Sequence, residues 1–340
     1  MFLAAAAFLP LNFAPPACAQ ATTSAAWSVT IVLPPKVVAG HPASLAVFGT
    51  DGRLAPGITV DIGKGQQVTT DASGRAIFTA LAGSSVVLAR ASGTSTAALV
   101  DPEVPAPASA RLSVAPFLSV RDRFSICASG FRADPDSNRV VLNDERAIIL
   151  AASPECLVAL PGPKSTPGPV KITAETESAE LSAASTLVSI LFESPQPPPV
   201  AERKSRLVVQ VVGSDQPLSI AVENQTPGVL RFLHGDRQSL RTTGGQPNSA
   251  EVDVQALRTG DYSFHARLLP VSDPATARRF LEAATPLARR DLQRRLKSLA
   301  SRIERHPRDI EKIRLELDRI ISVTIEGDLR TLLDAARSAL

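Results

Sequence analysis

Up to residue 270 the chain alternates apolar and polar positions in short runs broken by turn residues; beyond it the apolar spacing lengthens to three and four. Val29, Ile31 and Leu33 alternate as in a strand with one buried face. Ser44–Phe48, Ile58–Ile62, Ile77–Thr79, Val86–Ala89 and Ala97–Val100 continue the series, with Asp51-Gly52 and Gly63–Gly65 as turns. These runs predict about seven strands. Arg123–Phe131, Asn138–Asn143, Ser153–Pro161 and Pro167–Ile172 predict a second set. Leu207–Val212, Leu218–Val222, Val229–Leu233 and Ala250–Val254 predict a third.

In the tail, Leu292, Leu296, Leu299 and Ile303 recur at helical spacing, as do Ile310, Ile313, Leu317 and Ile320. Asp273-Pro274 and Thr285-Pro286 read as an N-cap followed by proline at the first helical position, and His306-Pro307 marks a further start. Three or four amphipathic helices follow, their short connections favouring antiparallel packing.

Two proline-rich joints divide the strand series: Asp101-Pro102-Glu103-Val104-Pro105-Ala106-Pro107 and Pro195-Gln196-Pro197-Pro198-Pro199. Proline fixes φ and lacks an N–H, so neither joint is a helix or a central strand; both read as semi-rigid spacers. The expected fold is mainly β: three tandem β-sandwich domains at 27–101, 111–192 and 206–270, then an α-helical tail over 273–340. With no spacer near Asp273, the helices are expected to pack on the third sandwich.

Composition narrows the function classes. A 44% hydrophobic, 20% charged chain of 340 residues can bury large cores, and a net charge of +3 gives no global field to recruit nucleic acid. Aromatic residues make up 4%, which argues against an aromatic-lined sugar platform. Residues 1–19 read as a signal peptide: a short apolar run, Phe2–Leu9, then the A-x-A cleavage site Ala17-Cys18-Ala19, without the usual positive n-region. Cleavage leaves Cys127 and Cys156, an even pair in one domain of an exported protein, hence an expected disulfide; two buried free thiols are the alternative. Closing a loop of about 30 residues is worth roughly 3 kcal/mol.

The segment Thr70-Asp71-Ala72-Ser73-Gly74-Arg75-Ala76 resembles the T-D-A-x-G-R/K-A hairpin turn of the Ig-like repeats of invasin-type adhesins. Ala128-Ser129-Gly130-Phe131 resembles the G-x-G-F opening of IPT/TIG Ig-like domains. Asn138–Asn143, Ser153–Pro161 and Pro167–Ile172 resemble that family's later strands in order, and the cysteine pair departs from its pattern. The third domain resembles no particular Ig-like family. The resemblance implies sandwiches used as spacers or binding units, without catalysis. Gly260-Asp261-Tyr262-Ser263-Phe264 resembles the tyrosine corner of Greek-key sandwiches, which implies that the Tyr262 hydroxyl bonds back to nearby backbone.

Candidate chemistry is sparse. His41, His234, His265 and His306 form no metal-spaced pair, and no nucleophile elbow, Walker loop or H-E-x-x-H helix occurs. Asp134, Asp136, Asn138 and Glu145 occupy positions 1, 3, 5 and 12 of a calcium-loop count, but Arg139 stands where that loop needs glycine; polar turn residues are the alternative. Arg290, Arg294 and Lys297 form a basic helix face for a membrane or a partner; a solvated face is the plain alternative. The expectation is an exported, non-enzymatic, adhesin-like scaffold without cofactors that binds a protein partner. A carbohydrate-binding accessory protein and a cell-envelope subunit docked through its tail are the rivals.

Overall fold

The computed structural model describes residues 29–102, 111–196, 203–233, 235–305, 309–325 and 327–340. The fold is mainly β, three Ig-like sandwiches in series followed by four helices. The signal segment, most of both proline joints, His234 and His306 lie outside the described residues.

The first sandwich has eight strands: β1 (Thr30–Val32), β2 (Lys36–Val38), β3 (Pro42–Phe48), β4 (Thr59–Gly63), β5 (Gln66–Thr69), β6 (Arg75–Thr79), β7 (Val86–Ala91) and β8 (Thr94–Asp101). They form facing sheets of order β1-β3-β6 and β2-β8-β7-β4-β5. Leu45, Val60, Phe78 and Ala89 meet between them. The Thr70–Arg75 turn closes on Asp71, whose carboxylate accepts from Ser73 N (2.8 Å), Ser73 Oγ (2.7 Å) and Arg75 N (3.1 Å). These bonds, the Ser73 hydroxyl foremost, hold the Asp71 carboxyl below its ordinary range. Gly74 is at φ +70°, and a Cβ there would lie 2.8 Å from Leu54 Cβ, so only glycine fits.

The second sandwich comprises β9 (Ser113–Val114), β10 (Phe117–Ser119), β11 (Phe124–Cys127), β12 (Arg139–Leu142), β13 (Glu145–Arg146), β14 (Ile148–Ala152), β15 (Cys156–Leu160), β16 (Gly168–Glu175) and β17 (Glu180–Phe192). Sheet β14-β15-β11-β9 faces β13-β12-β16-β17 across Ile126, Leu142, Leu157 and Ile172. Cys127 and Cys156 are register partners on β11 and β15 and form a disulfide.

The third sandwich is β18 (Lys204–Val212), β19 (Ser219–Asn224), β20 (Leu230–Phe232), β21 (Arg237–Arg241), β22 (Asn248–Ala256) and β23 (Phe264–Leu268). It does not hang from a spacer. Residues Glu180–Leu187 of β17 pair with β16, and Ser189–Phe192 pair with β18, so one strand serves both sandwiches. Gly213 makes the junction: a Cβ there would lie 2.5 Å from Leu187 O and 2.8 Å from Pro167 Cβ. Gln196 bridges Arg206 antiparallel, so the described residues on either side of the second proline joint lie side by side; Pro197–Pro199 lie outside the described residues.

The helices are α1 (Pro274–Ala284), α2 (Arg290–Arg305), α3 (Ile310–Val323) and α4 (Asp328–Ala339). Asp273 caps α1 by accepting from Thr276 N (3.1 Å). Contrary to the sequence-based expectation, their main seat is the first sandwich, not the third. Leu99 is buried among Leu281, Leu296, Leu332 and Leu333, with Val86, Leu88 and Ala97 packed alongside. Arg279 bonds Asp101 and Val100 O, and Arg90 bonds Asp328. The cause is legible in β7 and β8: Val86–Ala89 and Ala97–Val100 are unbroken apolar runs, as expected of strands covered on both faces.

The first two sandwiches also abut. Val32 and Ala46 pack on Leu150, Ala151 and Val158. Arg75 leaves its turn to bond Asp136 (2.7 Å) and Ile149 O (2.6 Å).

Candidate interaction surfaces

β23 is a sheet edge. It pairs with β19, with Glu223 opposite His265 and Ala221 opposite Arg267. Leu269 N donates to Ser219 O and Gln225 N to Ser263 O, so the odd residues of β23 turn their backbone groups toward β19. In an antiparallel ladder the intervening residues, Phe264, Ala266 and Leu268, then direct N–H and C=O outward. Leu268 of that edge, with His265 and Arg267, lines a groove of about 810 Å³ between the second and third sandwiches. Phe117 and Leu118 of β10 supply apolar wall; Arg123 and Arg267 outnumber Asp122 in charge, while Arg314 on the same groove is paired with Glu311. Ser272 Oγ and Arg314 Nε, both on this groove, are buried without a hydrogen-bond partner.

Sequence reasoning missed this groove because its halves lie far apart in the chain and Pro270–Ser272 read as a connection. The available signal was the apolar run Leu268–Val271, too long for a solvated linker.

A second charged cluster lies where the first two sandwiches meet α1. Arg279 pairs with Asp101, and Ser153 Oγ donates to Lys36 O (2.7 Å) beside it. Burial, chiefly, and the adjacent Asp101 push the Glu155 carboxyl up, against the opposing pull of Lys36 and Arg279.

The calcium candidates are not brought together. Asp134 caps a short 3-10 turn, accepting from Asp136 N and Ser137 Oγ. Asp136 turns to Arg75. Asn138 is buried, accepting from Arg132 N (3.0 Å) and donating to Arg132 O (2.7 Å) and Asp134 O (2.8 Å). Glu145 accepts from Lys164 N (3.4 Å) on β13. Among the described residues no group of three or more His, Cys, Asp or Glu is disposed to hold a metal. Asp134, Asp136 and Asn138 are polar residues of one turn, and Glu145 lies on β13.

Tyr262 is not tucked into a corner: it is 37% exposed, and its ring packs on Phe264 with centroids 5.7 Å apart. Among the described residues its hydroxyl makes no hydrogen bond. Phe264 in turn contacts Phe192 and Phe232, so Tyr262 is the exposed end of an aromatic stack. Asn224, of the triplet Asn224-Gln225-Thr226, is buried and donates to Leu230 O. Arg290, Arg294 and Lys297 are all exposed on α2. No helix among the described residues is long and apolar enough to cross a membrane.

No family model matches the chain, and no curated protein matches it. Solved structures do. The full extracellular region of plexin A4 is 8% identical with a TM-score of 0.28, over 71% of this chain and 32% of that one. Invasin, described as a bacterial integrin-binding protein, is 16% identical with a TM-score of 0.19, over 71% of this chain and 57% of that one. The N-terminal four Ig domains of Dscam1 are 13% identical with a TM-score of 0.21, over 69% and 73%. The chain spans about a third of the plexin and just over half of the invasin.

Proposed function

We propose that the chain is an exported, non-enzymatic scaffold that binds a protein partner by taking up an extended, acidic segment beside β23. The first and second sandwiches belong, in this reading, to the invasin-type and IPT/TIG Ig-like repeats, and serve as rigid mounts. The observation that carries the reading is the outward-facing edge of Phe264, Ala266 and Leu268, whose Leu268 end opens on a groove lined by Arg123 and Arg267. An edge strand offers a row of unpaired donors and acceptors, and strand addition satisfies them while side-chain pockets select the sequence. The arginine rim favours a peptide bearing carboxylates, and guanidinium forks hold carboxylates in fixed geometry. Ser272 Oγ and Arg314 Nε, buried and unpaired, are further polar groups that a bound chain would satisfy.

Amide hydrogen exchange tests this with a peptide of about eight alternating Glu and Val residues. Binding slows exchange at Phe264, Ala266 and Leu268. Ala266→Pro removes the central outward N–H at an edge, where proline is tolerated, and abolishes the slowing. Unchanged exchange at those amides with saturating acidic peptides, or equal binding by Ala266→Pro, refutes the site.

A further inference from the structure

We infer that one end of the helical domain is a docking surface for an anionic phospholipid bilayer. On α2, Arg290, Arg294 and Lys297 fall within about 60° of one another at 100° per residue. They lie opposite the buried residues Leu296, Leu299 and Ile303. All three are exposed. The neighbouring arginines of the same bundle are neutralised: Arg278 by Glu282 and Glu304, and Arg295 and Arg302 by Glu316. Among the described residues the stripe makes no ion pair; Asp291 lies in the first turn of α2, and Asp328 at the start of α4 is held by Arg90.

The same end carries bare apolar side chains. Leu287, just before α2, is 50% exposed; Val323 and Ile325, where α3 gives way to α4, are 80% and 87% exposed. Helix register brings them to the stripe. Glu316 pairs with both Arg295 (4.0 Å) and Arg302 (2.7 Å), so it lies level with the turn around Leu299. Seven residues along each helix in opposite directions, about 10 Å, set Val323 level with Leu292, between Arg290 and Arg294. Leu287 and Asp328 line one cleft, which places the start of α4 at this end too.

Charge complementarity selects the occupant. Cations alone serve any acidic surface. Cations ringing aliphatic side chains that have no core to enter match a bilayer interface, where headgroups meet the charges and the aliphatic tips enter the acyl boundary. Each cation near such a surface contributes independently of partner sequence.

Co-sedimentation of the full chain with vesicles tests this, using phosphatidylcholine alone and phosphatidylcholine with phosphatidylglycerol, at about 50 and 500 mM salt. Binding is expected to the anionic vesicles, weakened by salt. The triple variant R290Q/R294Q/K297Q lowers it on the order of a hundredfold. The pair V323D/I325D, fully surface positions, lowers it at least tenfold. Absence of binding to anionic vesicles at low salt overturns the inference. So does unchanged binding by V323D/I325D, which assigns the stripe to an acidic protein instead. Ala266→Pro retains vesicle binding; its loss there would move the site to the β23 groove.

Discussion

Leu99→Ala separates the helices from their seat without touching the sandwich beneath. Leu99 is 1% exposed and lies among helical side chains, whereas its neighbour Val100 points into the first sandwich core. Removing a buried leucine side chain to Cβ costs about 2–5 kcal/mol, the upper part applying where the site cannot collapse. Val86, Leu88 and Ala97 flank Leu99 on the strands and cannot move to fill the gap. The polar contacts across the same interface are smaller. Arg90–Asp328 and Arg279–Asp101 are partly exposed pairs, each worth under about 1 kcal/mol. The apolar contact therefore decides docking, and Leu99→Ala takes away its most deeply buried strand side chain. Native-state hydrogen exchange reads the result: α1 and α4 amides exchange faster, by about 30-fold or more for 2 kcal/mol, while β11 and β15 keep their rates. Val100→Ala is the control and loosens β3, β7 and β8 instead. If Leu99→Ala accelerates β7 and β8 but leaves α1 and α4 unchanged, the helices hold together without the first sandwich, and the assignment of Leu99 to their core is wrong.

Other consequences are open to measurement. Cys127→Ala with Cys156→Ala opens a loop of sequence separation 29 and lowers stability by about 3–4 kcal/mol in urea unfolding; a midpoint unchanged from the oxidised protein contradicts it. Asn138→Ala strands the Arg132 and Asp134 backbone groups and costs about 2–3 kcal/mol, without any dependence on calcium; a calcium-dependent melting temperature in the native protein would restore the metal reading. Arg75→Met cuts the Asp136 and Ile149 contacts, so the first two sandwiches unfold at separated temperatures in calorimetry rather than together. Glu155 has its carboxyl raised by burial above the ordinary 4.5, so the folded state holds its proton more tightly than the unfolded state. Stability from this group is complete below 4.5 and is lost as pH rises through the folded value; Glu155→Gln flattens that decline, and a slope equal to that of the native protein rules the group out.

Local pattern carried the strands and helices, because both depend on neighbours two to four residues apart. Val29-Ile31-Leu33 and the Leu292–Ile303 spacing each resolve within one element. The disulfide was equally legible: with Cys18 set aside in the expected signal segment, Cys127 and Cys156 leave one pairing. Long-range placement was not. The Leu99 face reads as an apolar run and says only that something covers it; the covering residues lie more than 180 positions later. The shared strand β17 hides because a 13-residue strand serving two sheets has the same alternation as one serving a single sheet. Gly213 marks the junction, but one glycine at a strand end looks like any turn. Tyr262 illustrates a misleading local match: the Gly-Asp-Tyr sequence fits a corner, yet the Phe264 stack draws the ring outward.

The head-to-tail closure has a cost during synthesis. Arg90 and Asp328 are separated by 238 residues, and Val86, Leu88, Ala97 and Leu99 have no cover until the helices exist. At roughly 5–20 residues per second, that aliphatic sheet face stays bare for about 10–50 s after β8 has formed. The first sandwich is thus made before the other two and finished after them, its outer sheet face open to any chaperone that binds flat aliphatic surface until α1 and α4 cover it.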